Sequence, residues 1–374
     1  MSQDRVENIE AASSEELLDV IVHFAYAFDV GYEIDLERAR PALPLESGGL
    51  ARRRRTPESI RFRPAPLRAS LDAAGLALPG GFATVRPPRA ELTLYDFGAL
   101  SVAIQFAIRV TPDDLLRLAG ELAEPTSLAA SARLAVAPWI ERIRPVVTEF
   151  ELSDFGEEYI VFQLEKADPA WLATRKAWIA GLVRLEPEPL SDEEVREANR
   201  LSLSYFPTDL VTLDWAAGFI VDNQCVDTLQ VIEFANVQLL EFRHIDDRLD
   251  DRLEAAYRLI RPEPRKKRSM GFWRGHSSAV RNVRELEIEA TSLFERADNN
   301  LKLIGDQYLS RIFDLAQTRF HLRDWEQSIR RKLDTVGDVY DLLVQQAGGA
   351  RMELLELVVV GLITLEIILA LVRH

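Results

Sequence analysis

The chain ends in an almost uninterrupted run of Leu, Ile and Val from Leu354 to Val372, and no other stretch narrows the possible folds as much. At about 1.5 Å per residue such a helix reaches about 28 Å, close to the thickness of a hydrocarbon core. Two acids interrupt it. Glu356 lies near one end and could reach a headgroup, whereas Glu366 would lie deep in an apolar layer. A central acid costs roughly 2.5–3.5 kcal/mol there, and each aliphatic gains about 0.3–0.6 kcal/mol, so the aliphatics outweigh it. Residues 351–374 are therefore expected to form one C-terminal transmembrane helix, with the bilayer as partner and with Glu356, Gly361 and Glu366 as candidate membrane or self-association residues. The alternative is a soluble oligomer in which the same helix is an assembly interface around Glu366.

Nothing else in the chain has that length and character. Of the 374 residues 47% are hydrophobic and 28% charged, which is ordinary for globular material and excludes a wholly disordered chain. A net charge of −15 argues against general adhesion to nucleic acid or to anionic membranes, leaving only local basic clusters to do so. The single cysteine, Cys225, excludes an internal disulfide framework and a multi-cysteine zinc site. The first residues, Met-Ser-Gln-Asp-Arg-Val-Glu-Asn-Ile-Glu, show neither an apolar signal core nor an Arg-rich presequence. The expectation is a tail-anchored, single-pass membrane protein with the bulk of its chain on the cytoplasmic side.

The expected fold class is α+β, with a mixed α/β domain over residues 1–222, a long antiparallel, coiled-coil-like helical arm over 223–347, and the apolar tail. Val20 to Asp29 reads as a strand and Asp35 to Arg40 as a short helix. Residues 41–66 are an Arg-rich excursion carrying Arg52, Arg53, Arg54 and Arg55, whose end, Ile60 to Leu67, is expected to return as a strand. Leu92 to Arg109 reads as a strand pair or a bent strand with Gly98 at the bend, and Thr111-Pro112-Asp113-Asp114 opens a capped helix. Val146 to Leu152 and Glu158 to Glu165 read as a hairpin, and Leu210 to Val221 as a further β segment. Leu94-Tyr95-Asp96-Phe97-Gly98-Ala99 and Leu213-Asp214-Trp215-Ala216-Ala217 echo each other, a sign of equivalent strands in a repeated α/β unit. From Val226 an apolar stripe runs through charged surroundings to Ile260. A basic linker, 261–276, holds Arg265, Lys266, Lys267 and Arg268, and a second arm from about Ser278 to Gln346 follows, with seams at Leu301, Ile304, Tyr308, Ile312 and Leu315 and at Leu322, Trp325, Ile329, Leu333, Val336, Tyr340 and Leu343.

No phosphate-cradling loop, dinucleotide fingerprint, zinc-protease motif or nucleophile elbow is present. The histidines His23, His244, His276, His321 and His374 have no ligand spacing. Asp246, Asp247 and Asp250 form an Asp-Asp-x-x-Asp run that on a helix could hold Mg²⁺, but Arg243, Arg248 and Arg252 interleave with it and no second Asp-rich helix completes a site. Cys225 has no activating neighbour. No catalytic, cofactor or metal residues are expected.

Asp96-Phe97-Gly98-Ala99-Leu100-Ser101-Val102, the Val226 to Ile260 helix, the arm with Asp306, Tyr308, Leu322, Trp325, Lys332 and Leu333, and the segment Glu353 to Leu369 resemble the required-for-meiotic-nuclear-division family. That group of unknown function includes a mitochondrial inner-membrane protein supporting organelle translation and fungal sporulation-related proteins. The resemblance implies a membrane-tethered α/β domain with a helical arm and carries no catalytic residues. The functional expectation is thus a non-enzymatic membrane-anchored scaffold that forms homo-oligomers and binds an unspecified protein partner. The alternative is a ribosome or RNA tether using the two basic clusters as anionic-surface contacts.

Overall fold

Large apolar side chains alternate with small or polar ones from residue 18 to residue 29, which makes this stretch a strand that can be covered on both faces. In the computed structural model it is β1 (Leu18–Asp29). The structure describes residues 16–43, 64–123, 127–260 and 307–339, together with Ile288, Thr291 and Leu362. The chain divides into two compact units, Met1–Glu241 with Glu295–Arg323, and Phe242–Phe294 with Asp324–His374.

In the first unit β1 is followed by β2 (Glu33–Ile34), α1 (Leu36–Ala39), β3 (Leu67–Leu71), β4 (Arg89–Leu94) and β5 (Ala99–Val110). Helices α2 (Pro112–Ala123) and α3 (Ser127–Ile143) lead to β6 (Val147–Thr148) and β7 (Glu157–Leu164). Then come α4 (Pro169–Thr174), α5 (Lys176–Arg184), α6 (Asp192–Ala198), β8 (Ser202–Leu203), β9 (Leu210–Leu213) and β10 (Ala217–Val221). The helix α7 (Val226–Ile260) begins in this unit, and α8 (Gln307–Arg319) returns to it. Eight strands form one sheet in the order β3-β4-β5-β1-β7-β10-β9-β8. Every pairing is antiparallel except β7 with β10.

Register assigns the faces. Val22 lies between Phe106 and Phe162, and Phe219 continues that row, so one face is a wall of large apolar side chains. On this side Trp178 of α5 meets Phe219 edge-on at 5.7 Å and donates its indole N–H to the Pro112 carbonyl at 2.9 Å. The second face carries Ala25, Ala27, Ser101 and Ala103, residues small enough for a helix backbone to approach closely. There Asn236 of α7 donates to the Glu157 carbonyl at 3.1 Å, and Phe320, just beyond α8, meets Tyr159 edge-on at 5.0 Å. The sheet is thus covered by helices on both faces. The α2 cap forms as its sequence implies, because Thr111 Oγ1 accepts from the Asp114 N–H at 3.1 Å.

Two strand expectations change. Val146 to Leu152 and Glu158 to Glu165 do not form a hairpin: Val147–Thr148 pairs with β2, while β7 inserts between β1 and β10. Those partners lie far apart in sequence, where local patterning carries no information about pairing. Leu210 to Val221 is an antiparallel pair, β9 and β10, turning at Asp214 to Ala216. The two echoing segments therefore both occupy hairpin turns, one before β5 and one before β10, and each of those strands leads toward a helix.

In the second unit the described residues include the helical stretches 242–260 and 324–339, where Ile245, Leu249, Ile329 and Val336 are buried. The remainder of the expected arm, apart from Ile288 and Thr291, lies outside the described residues.

The expected membrane anchor is corrected. Among the described residues no helix is long and apolar enough to cross a membrane, and that overturns the reading of a membrane-anchored, single-pass protein on the cytoplasmic side of a bilayer. The longest helix, α7, has sufficient length but carries Asp227, Glu233, Glu241, Asp246, Asp247, Asp250 and Asp251, whose desolvation in lipid would be prohibitive. The expected span itself, residues 351–374 with Glu356, Gly361 and Glu366, lies outside the described residues except for Leu362.

Gly98 has φ of +95°, and a Cβ built there would lie 1.7 Å from the Gly31 carbonyl oxygen. Gly75 has φ of +88° but no atom within 4 Å of its Cβ position. Gly98→Ala should lower stability by about 3 kcal/mol or more in urea unfolding, and Gly75→Ala by only about 1 kcal/mol. Equal losses would contradict the close approach of these two backbone segments.

Candidate functional site

Asp246, Asp250, Cys225 and His23, each weighed from the sequence, are drawn into internal contacts or buried. Within the second unit the Lys332 ammonium lies 2.8 Å from Asp246 Oδ1 and 2.7 Å from Asp250 Oδ1. Burial alone would lower the Lys332 pKa, but the hydrogen bonds that its ammonium donates to the two carboxylates raise it overall. The position between the two acids that a divalent cation would require is thus filled by an internal cation. Among the described residues no group of three or more His, Cys, Asp or Glu is placed to hold a metal. Cys225 is buried just before α7, and burial, with the Asp222 charge adding to it, pushes its thiol up to about 12. The Arg52 to Arg55 run and the Arg265 to Arg268 cluster lie outside the described residues.

His23 has a specific local role. Gln163 donates through Nε2 to the Asp222 carbonyl at 2.7 Å, so it presents its carbonyl oxygen to the His23 ring, 2.8 Å from Nε2. His23 therefore carries its proton on Nε2. Burial holds its pKa down to about 4, partly opposed by that hydrogen bond.

At the β10-β9-β8 edge the side chains are held rigidly. Arg319, at the end of α8, is buried and donates from Nε to the Leu213 carbonyl and from Nη2 to the Glu197 carbonyl, each at 3.1 Å. Its Nε lies 3.4 Å from Asp214 Oδ1, and Arg184 Nε lies 2.5 Å from Asp214 Oδ2. The buried Asp214 also accepts from the Trp215 N–H at 2.6 Å. Two guanidinium groups on one carboxylate compensate its burial and tie α5, α6 and α8 to the β9-β10 turn.

Beside this frame, the loop between β8 and β9 exposes Tyr205 and Phe206, at 64% and 60% of their surface. The loop is ordered locally by Asp209, whose two carboxylate oxygens accept from the Tyr205 N–H at 2.7 Å and the Phe206 N–H at 2.9 Å. The two rings meet edge-on with centroids 4.7 Å apart, and Tyr205 meets Tyr308 of α8 at 5.6 Å. Burial raises the Tyr308 pKa, and the Asp209 and Asp222 carboxylates raise it further, so the hydroxyl stays protonated. Sequence reasoning did not single out Tyr205 and Phe206. Their signal was two adjacent aromatics followed by Pro207 and Asp209, a turn signature with no apolar periodicity to bury them.

Comparison with known proteins gives a family. A model described as "Uncharacterized protein MJ0711, N-terminal domain" matches residues 19–227, and the chain belongs to that family. The "Uncharacterized protein MJ0711" of Methanocaldococcus jannaschii is 26% identical over 229 residues, which cover 60% of this chain and 69% of that protein. No solved structure matches. The family is one of unknown function, as the sequence resemblance implies, but it does not bear the meiotic-division name.

The His23 reading has a pH consequence. Because its pKa is lower in the folded chain than the ordinary 6.5, the unfolded chain binds more protons between about pH 6.5 and 4. This contribution to stability is complete above pH 6.5 and is lost as the pH falls toward 4. The stability advantage of wild type over His23→Gln should shrink by on the order of 2 kcal/mol across that window in chemical unfolding. Parallel profiles for the two proteins would contradict the assignment.

Proposed function

We propose that this member of the family is a non-catalytic protein-interaction module whose partner contact is anchored by Tyr205 and Phe206 at the β8-β9 edge. The observation that carries the reading is the combination of high exposure with a fixed backbone. Two large rings stand in solvent on a loop whose N–H groups are held by Asp209. Exposed aromatics are the side chains most often found at the energetic centre of protein contacts, and a loop already ordered pays less conformational entropy on binding. The absence of catalysis is part of the same reading. Lys332 with Asp246 and Asp250, and His23 with Gln163, each serve an internal contact, and Cys225 is buried, which supports a reading without a nucleophile paired to a base. In this reading the second unit is an antiparallel helical arm, supported by the bridge from Lys332 to Asp246 and Asp250. Kinship with the meiotic-division group also belongs to the proposal, on the strength of the residues quoted above.

A photo-crosslinking side chain at position 206, compared with one at the similarly exposed Val85, tests the contact directly in extracts of cells that naturally express the chain. The expected result is a saturable adduct specific to position 206. An excess of unlabelled wild-type chain should compete it away, and an excess of the folded Tyr205→Ser/Phe206→Ser chain should not. Identical adducts at both positions, or equal competition by the variant, would remove the reading.

A further inference from the structure

We propose that the occupant of this contact is an arginine-bearing basic segment of a partner protein, stacking its guanidinium groups on the Tyr205 and Phe206 rings. The inference rests on the interaction-module reading and goes beyond it by naming the chemistry of the partner.

Three observations converge on it. The first is charge. Asp209 lies in the loop itself, and two carboxylates, Asp209 and Asp222, against one guanidinium, Arg311, act on the Tyr308 hydroxyl behind the exposed pair. The chain as a whole carries −15. An acidic or phosphorylated partner would be repelled from such a surface, and a basic one drawn to it.

The second is the geometry of the rings. Tyr205 stands edge-on to Phe206 and also to Tyr308, at interplanar angles of 76° and 81°. Tyr205 therefore faces a different direction from each of its two neighbours, and the exposed pair leaves electron-rich ring surface open to solvent. Such a surface suits a flat cation. A guanidinium group is planar, weakly hydrated and able to stack, whereas an ammonium group is compact and strongly hydrated, so arginine is favoured over lysine at the same net charge.

The third is how the protein itself covers its rings. Guanidinium groups lie over Phe82, Tyr26, Phe28, Trp139, Phe150 and Trp171, at 4.5–5.4 Å from the ring centroids. None of those cations covers Tyr205 or Phe206, although the two are among the most exposed large hydrophobics described. Among the described residues, the pair offers open ring surface of the kind that arginine covers elsewhere in the fold.

The test uses the full chain at 150 mM salt (about an 8 Å screening length), where general attraction between opposite charges is damped. Fluorescently labelled hexa-arginine and hexa-lysine peptides are titrated against wild type and against Tyr205→Ser/Phe206→Ser, whose folding is checked by circular dichroism. Hexa-arginine should bind wild type about tenfold more tightly than hexa-lysine, and the variant should lose that preference while keeping the weak binding common to both peptides. Equal affinities for the two peptides on wild type, or an arginine preference that survives in the variant, would overturn the proposal. Light scattering of the same samples provides a second arm. A dimeric mass for wild type that falls to monomer in the variant would overturn it too, by making a second copy of the chain the occupant. If the arginine preference is missing while the position-206 adduct persists, the partner chemistry is wrong and the contact stands; if the adduct also fails, the module reading falls with it.

Discussion

The second face of the sheet governs the rest of the first unit, because it must accept a helix segment that is buried on every side yet carries polar groups. Residues 231–241 of α7 are all buried, and they include Glu233, Asn236, Gln238 and Glu241. Such a segment is tolerable only where its polar groups find partners and its backbone can approach closely. The sheet supplies the close approach, and partners for Asn236 and Glu233. Ala25, Ala27, Ser101 and Ala103 form a low floor, Asn236 reaches the Glu157 carbonyl, and Arg68 on β3 pairs with Glu91 at 2.8 Å, with Glu233 at 3.9 Å from the same guanidinium. These buried polar contacts add less to net stability than an apolar core would, and their effect is to fix where the helix lies.

The placement of α7 and α8 on that face leads to the sheet edge. Phe313 of α8 lies near Phe234 of α7, with ring centroids 6.3 Å apart, and Arg319 closes the other end of α8 onto the β9-β10 turn. The start of α8 then brings Tyr308 against Tyr205. An edge strand as short as β8, with its neighbouring loop tied down by Asp209, offers little backbone for unwanted strand pairing. What it leaves exposed is aromatic side-chain surface on a rigid support, and this is why the functional reading lies at the edge and not in the core.

Much of this was legible in the sequence where the signal is local. The alternating pattern of β1, the Thr111 cap and the bend at Gly98 each follow from spacing over a few residues, whereas the single apolar stripe expected from Val226 onward gives way over residues 231–241 to a segment buried on every side. The partners of β7 and β6 were not legible, since strand pairing across long separations depends on the whole sheet and leaves no trace in neighbouring residues. The Asp246 to Asp250 run was ambiguous because the residue that resolves it, Lys332, lies far along the chain. The apolar tail dominated the sequence reading of function, while the site favoured by the structure is two aromatics in a turn, a pattern too short to distinguish a buried pair from an exposed one. Among the described residues no helix is long and apolar enough to cross a bilayer, which removes the membrane reading.

The central claim is that Tyr205 and Phe206 are presented by a loop already ordered in the free chain. Amide hydrogen exchange at those two residues tests it most directly, because both N–H groups donate to the same carboxylate, that of Asp209. The account predicts slowed exchange at both positions in the unbound protein, and a return to rates near those of an unstructured peptide at both when Asp209 is replaced by alanine. Unprotected exchange in the wild-type chain would contradict it, since the rings would then stand on a mobile loop with no preformed contact to offer.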